Sequence, residues 1–224
     1  MKRLVNQVFL EALLLWRYQV IWLSWGLGFL LALVLRYFVP EPERLFSLGL
    51  GVSAALASTV VFLVAGLTWI ERQGGGLVGL VLTPLRPQEY LLSKGLLVMS
   101  LTTGLFGVAE LAGLGLDRQS LLLLPGLWLT GWTLAYLGLA LVWMRPNLNQ
   151  FILPSLGLTA LGQLSLTAAL GQWPGWFWSL LPLYGAGRVT LAAPESTSLL
   201  CALGWAGLAY LLAHRACCRA WKAL

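Results

Sequence analysis

The stretch "SLGLGVSAALASTVVFLVAGLTWIERQGGGLVGLVLTPLRPQEYLLSK", Ser47 to Lys94, holds a long apolar run, an abrupt polar and glycine-rich break, and the beginning of another apolar run. Ser47–Ile70 contains no charged residue, and about 20 such residues carry an α-helix across roughly 30 Å of hydrocarbon. Comparable runs recur on both sides of this stretch. The chain of 224 residues is 59% hydrophobic and 10% charged, with a mean hydropathy of +0.83. An average soluble domain carries about 25% charged residues, so this chain has too few to solvate a globule. The runs are solidly apolar rather than alternating, which is not β-barrel patterning. The composition therefore predicts an all-α integral membrane protein forming a single transmembrane domain over 1–224.

Dividing the apolar runs at their charges and prolines gives six spans, at 18–38, 46–70, 92–115, 120–143, 151–171 and 196–213. Residues 1–17 precede them. There Arg3, Gln7 and Glu11 lie four apart on one stripe, with Leu4, Val5, Val8, Phe9, Ala12 and Trp16 opposite. This pattern suits a helix lying along the membrane surface, or the beginning of the first span. Polar residues interrupt the run and no small-residue cleavage site follows, so it does not read as a removed signal peptide.

An even number of spans puts both termini on one side. With the termini inside, the inner segments hold Lys2, Arg3, Arg17, Arg72, Arg86, Lys94, Arg145, Arg215, Arg219 and Lys222; the outer ones hold Arg36, Arg44, Arg118 and Arg188. This bias predicts a multi-pass protein of the cell membrane with cytosolic N- and C-termini. The net charge of +6 follows from the same rule and from anionic lipid, without nucleic acid. Residues 172–195, with Trp173, Trp176 and Trp178, are too apolar for a free loop. They are expected to form an outer re-entrant segment of short helices broken by Pro174, Pro182 and Gly185.

Gly74, Gly76 and Gly79 spell the spacing of a dinucleotide fingerprint. That fingerprint needs a preceding β-strand and a βαβ unit, whereas here it follows a membrane span. No glycine-rich run ends in Gly-Lys-Ser/Thr, so the chain has no ATP-binding P-loop. Neither Cys201, Cys217 and Cys218 nor the single His214 has metal-site spacing. Adjacent Cys217 and Cys218, beside the basic tail, read as reduced cytosolic thiols or as an acylation site. No cofactor, metal or catalytic residue is expected on this chain.

The break itself has a physical reading. A continuous helix from Leu45 to Ile70 would reach about 39 Å, more than the hydrocarbon needs, so its end stands in the cytosol. Gly74, Gly75 and Gly76 permit a sharp turn. "LVGLVLT" then makes a short apolar helix closed by Pro84 and Pro87, within a region 71–91 that joins spans two and three. Leu77, Leu80 and Val81 share one side of it, which suits either a partner's groove or lipid headgroups.

Glu71-Arg72, then Gly74, a short hydrophobic helix, Thr83-Pro84-Leu85, a polar turn, and Tyr90-Leu91-Leu92 with Lys94 resemble the coupling region of ABC-type export permeases. Within that superfamily the chain is most similar to small drug-export permeases associated with fluoroquinolone efflux. The six spans, the N-terminal surface helix and the re-entrant segment extend the resemblance over the whole chain. The sequence departs from the usual pattern at Gly75, Gly76 and Leu77, where Thr-Leu-Glu is common, so its coupling helix is less polar. The resemblance implies that a separate cytosolic ATPase subunit, carrying ATP and Mg, receives the coupling helix. Glu71, Arg72, Gly74, Leu77, Leu80, Val81, Thr83, Pro84, Tyr90 and Lys94 would form the coupling site. It also implies pairing with a second copy or a related permease within membrane lipid.

Spans two and five are rich in small and hydroxyl residues, which let helices approach closely. In similar exporters these spans line the central seam. Ser53, Ser58, Thr59, Thr159, Gln163, Ser165 and Thr167 are thus either pathway residues or packing contacts. A path without strong charges suits a hydrophobic or amphipathic small molecule, or a lipid-like cargo. A haem-delivery or assembly subunit of the same superfamily is an alternative. A membrane-embedded lipid enzyme ranks lower, because the acids are few and scattered and Asp117 is the sole aspartate.

Overall fold

A computed structural model describes residues 2–17, 19–40, 58–73, 79, 85–114, 118–145, 147–170, 176–190 and 196–222. The described residues are helical, without strands. In chain order they form α1 (Lys2–Arg17), α2 (Val20–Phe38), α3 (58–73), α4 (Pro87–Leu114), α5 (Arg118–Met144), α6 (Leu148–Leu170), a 3-10 turn (Trp176–Leu180), α7 (Tyr184–Thr190) and α8 (Ser196–Trp221). Four stretches are long and apolar enough to cross a membrane: Pro87–Ala109, Leu124–Met144, Leu148–Ala169 and Thr197–Trp221. A shorter apolar stretch, Trp25–Phe38, lies in α2.

Local chemistry explains several boundaries. Gln19 takes a left-handed backbone conformation, φ 59°, which no helix continues through, so α1 and α2 are separate helices. Pro87 occupies the first position of α4, where its missing N–H is not needed. Glu89, two residues on, accepts a hydrogen bond of 2.9 Å from the Arg86 amide, closing half of a capping box. The α4 helix therefore begins earlier than the expected span at 92. The last helix runs to Trp221 rather than ending near 213; Arg215 and Arg219, four apart and exposed, leave Ala213, Ala216 and Cys217 to face inward.

The α5 helix is central, packing on α8, α4 and α7. The main core joins Val60, Val61 and Val64 of α3 to Val98 and Phe106 of α4, Leu134 and Leu139 of α5, Phe151 of α6 and Ala209 and Ala213 of α8. The α2 helix lies along α4 at close range: a Cβ on Gly28 would collide with the backbone carbonyl of Leu105. Outward faces are apolar, with Trp22, Phe29 and Leu30 on α2, Ile152, Leu153 and Leu156 on α6, and Leu200, Leu203 and Leu211 on α8 all exposed. Such faces suit lipid rather than water.

Within 172–195 the described residues 176–190 form the 3-10 turn and α7, which packs on α5, α6 and α8; Leu183 and Ala186 are buried here, and Trp173 and Pro174 lie outside the described residues. Pro182 falls in the turn between the two pieces, as the sequence suggests. Gly185 does not break a helix as expected. It lies inside α7, because the absence of a Cβ lets α7 rest on the backbone of Ser198 in α8. Of the cysteine pair read as reduced thiols or as an acylation site, Cys217 is fully buried, and Cys218 Sγ lies 3.4 Å from His214 Nε2.

The Gly28 crossing gives a direct check. Gly28→Val is expected to force α2 away from α4 and cost roughly 1–3 kcal/mol, the usual range for overpacking. Gly26→Val, at a position with nothing near the added atoms, should leave the thermal unfolding midpoint in detergent unchanged.

Candidate functional site: a buried charge cluster joining three helices

The polar residues that the sequence concentrates around the break converge at one end of the bundle. Tyr90, Ser93 and Lys94 fall on one face of the first two turns of α4, since residues three and four apart are neighbours on a helix. Glu71 lies in the last turn of α3, and Gln7 and Glu11 lie four apart on α1. The Lys94 ammonium makes a direct ion pair with Glu71 and stands 3.7 Å from Glu11. Tyr90 Oη donates to the other oxygen of Glu71 at 2.7 Å. Ser93 Oγ approaches Glu11 at 3.1 Å and its own helix's Tyr90 carbonyl at 2.8 Å. Gln7 Nε2 donates to Glu11 at 3.0 Å.

The cluster is dry. Glu11 and Lys94 are each 2% exposed and Tyr90 is fully buried. A buried charge that is left without a partner costs several kcal/mol, whereas one that is paired and hydrogen-bonded is tolerated. Here one ammonium serves two carboxylates, so the group carries a formal charge of −1, and Glu11 Oε2 has no hydrogen-bond partner. Burial pushes the Glu11 carboxyl above its ordinary value of 4.5, and the charge of Glu71 adds to this; Lys94, Gln7 and Ser93 oppose it.

A second layer seals the same end. The Arg72 guanidinium lies over the rings of Trp69, at 5.1 Å, and Trp143, at 4.6 Å, within cation–π reach. It also donates to the Arg145 carbonyl at 3.2 Å. Tyr90 packs against Trp143 and Trp221, with ring centroids 6.0 and 5.6 Å apart. The ends of α3, α5 and α8 and the start of α4 thus share one aromatic and cationic seam.

Of the residues expected to form the coupling site, Glu71, Arg72, Tyr90 and Lys94 are brought together. Tyr90 and Lys94 are interior bracing groups rather than surface contacts. Gly74, Leu77, Leu80, Val81, Thr83 and Pro84 lie outside the described residues, as does Ser53 among the pathway candidates. Ser58 and Thr59 are half-buried on α3, and Gln163 and Thr167 half-buried on α6. Thr159 and Ser165 are buried. The hydroxyls of Thr159, Ser165 and Thr167 donate within α6, to the carbonyls of Leu156, Leu161 and Gln163, a common way to satisfy a hydroxyl in an apolar helix.

The sequence reading missed Glu11 as a member of this cluster. The Gln7–Glu11 stripe carries no sign in the sequence of a partner inside the protein. In the structure Glu11 faces α4, while Val5, Phe9, Leu13 and Trp16 are exposed. In a lipid setting the apolar face belongs outside and the carboxylate needs an internal cation. An acid on α1 without an assigned partner, and a lysine at the start of α4 read only as part of the coupling region, are the available signal.

The cluster offers an electrostatic connection between α1, α3 and α4. Among the described residues no group of three or more His, Cys, Asp or Glu gathers to hold a metal ion. No known family model matches the chain, and no curated protein matches it.

Glu11 supplies a pH test with a defined sign. Because its folded value is raised, the stability it contributes in its protonated form is present below 4.5 and is lost as pH rises through the raised value. Wild-type protein is therefore expected to lose stability relative to Glu11→Gln as pH increases above 4.5, with Glu11→Gln showing the flatter profile in thermal unfolding.

Proposed function

We propose that this chain is the membrane-spanning permease subunit of an ATP-driven exporter. It would move a hydrophobic or amphipathic small molecule, or a lipid-like cargo, out of the cytosol using a separate ATPase subunit that carries ATP and Mg. The four stretches long enough to cross a membrane, with α2 and α3 as the remaining two, make up the six-span arrangement of this reading. The Lys/Arg distribution supports cytosolic termini. A second copy or a related permease would complete the translocation unit.

The observation that carries the reading is the tie between the two ends of the 74–84 segment. Glu71 and Arg72 lead into it, Tyr90 and Lys94 follow it, and buried hydrogen bonds and ion pairs lock these ends to each other and to α1. A force applied to a segment so anchored moves α3 and α4 together instead of being lost in a flexing loop. That is what an ATPase docked at Leu77, Leu80 and Val81 would require of its membrane partner.

The test is to purify the tagged chain gently from its native membrane and identify the polypeptides that remain bound. A stoichiometric P-loop ATPase is expected. Leu80→Asp should place a charge in a desolvated cleft and reduce the co-purified ATPase by about tenfold or more, corresponding to at least about 1.4 kcal/mol, while the bundle still inserts. Retention of the ATPase at wild-type level would remove the docking role, and the absence of any ATPase would remove the transporter reading.

A further inference from the structure

We propose that the groove between the ends of α5 and α8 binds the phosphate headgroup of an anionic phospholipid. The groove has a volume of about 520 Å³ and is lined by Trp143, Met144, Leu212, Arg215, Ala216, Arg219 and Ala220. Ligand sites commonly fall within about 300–1,000 Å³. Arg215 and Arg219 are one turn apart on α8 and both exposed; the rest of the lining is apolar.

The charge balance of this end points to an external anion. Among the described carboxylates, Glu11 and Glu71 are committed to Lys94, and Glu89 accepts from the Arg86 amide. No described carboxylate pairs with Arg215 or Arg219. Arg145 and Lys222, at the ends of the same two helices, are exposed as well. Two guanidinium groups on one helix face offer several donors in fixed planes, the arrangement best suited to phosphate oxygens.

The groove continues as an apolar surface, which favours a lipid over a free phosphate. Leu211 and Leu208 lie about 6 and 10 Å below Arg215 along the helix axis at 1.5 Å per residue, and both are exposed. Gly207 and Gly204 leave open space beside them. A headgroup held at Arg215 and Arg219 would thus set its acyl chains along a smooth face of α8. Basic pockets between membrane helices are a recurrent way of holding anionic headgroups. The site does not depend on the chain having an ATPase partner.

The experiment uses the full chain in neutral detergent micelles, titrated with phosphatidylglycerol or phosphatidylcholine and read by native mass spectrometry. Wild-type protein is expected to retain phosphatidylglycerol in preference to phosphatidylcholine. Arg215→Gln with Arg219→Gln should weaken that binding about tenfold or more. A control pair removing the same charge elsewhere, Arg17→Gln with Arg86→Gln, should leave it unchanged; unchanged thermal unfolding of both variants would confirm that folding is not the cause. Equal retention by the Arg215 and Arg219 variant, or equal loss in the control, would overturn the assignment. Displacement of the lipid by equimolar inorganic phosphate would show a free-phosphate site instead. Loss of a co-purifying protein without loss of lipid would show an acidic protein surface instead.

Discussion

One ammonium group, that of Lys94, holds the architecture at one end of the bundle. It sits where water is excluded and is shared by two carboxylates that come from different helices, Glu71 of α3 and Glu11 of α1, offsetting half of their formal charge. Three chain segments must meet for this to happen, because neither acid can be buried alone without a penalty of several kcal/mol. The Tyr90 hydroxyl and the Ser93 hydroxyl occupy further oxygen sites on the same acids. The cluster therefore specifies how α1, α3 and α4 meet more sharply than apolar packing does, since exchangeable side chains such as Val60 and Val64 accept many partners while an ion pair accepts few.

The cluster lies where α3 ends and α4 begins. It is on the side where Arg72 lies between Trp69 and Trp143 and where Tyr90 packs on Trp143 and Trp221. Helices that also share the apolar core are thus fastened at this end through α4 and α5. Elsewhere they meet through the Val, Leu and Phe core and, at Gly28 against α4 and Gly185 against α8, through small residues, contacts without electrostatic specificity. The bundle combines a pinned end with outward faces that are apolar, such as those of α2, α6 and α8.

Much of this was legible in the sequence. The helices of α4, α5, α6 and α8 follow from apolar runs that no other structure can satisfy in hydrocarbon, and the convergence of Glu71, Arg72, Tyr90 and Lys94 follows from a turn that must bring the ends of two successive helices together. The orientation of α1 was not legible. A stripe of Gln7 and Glu11 reads the same whether it faces water or a buried cation, and only the position of Lys94 in three dimensions decides between them. The extension of α8 to Trp221 was hidden by its arginines, which look like a polar tail but occupy one exposed face. Gly185 misled for a related reason: a glycine marks either a break or a close contact between helices, and the contact with Ser198 is long-range.

A double-mutant cycle between Lys94 and Glu71 tests the central claim most directly. Lys94→Met, Glu71→Gln and the pair together would be compared by unfolding in detergent. The account expects Lys94→Met alone to be strongly destabilising, by roughly 3–5 kcal/mol for a broken buried pair. The double variant should recover part of that loss, because Glu71, the directly paired one of the two carboxylates that the first change strands, is gone while Glu11 remains. Losses that simply add, as they do for residues without direct interaction, would contradict the role of Lys94 as the shared counter-ion on which the arrangement of α1, α3 and α4 depends.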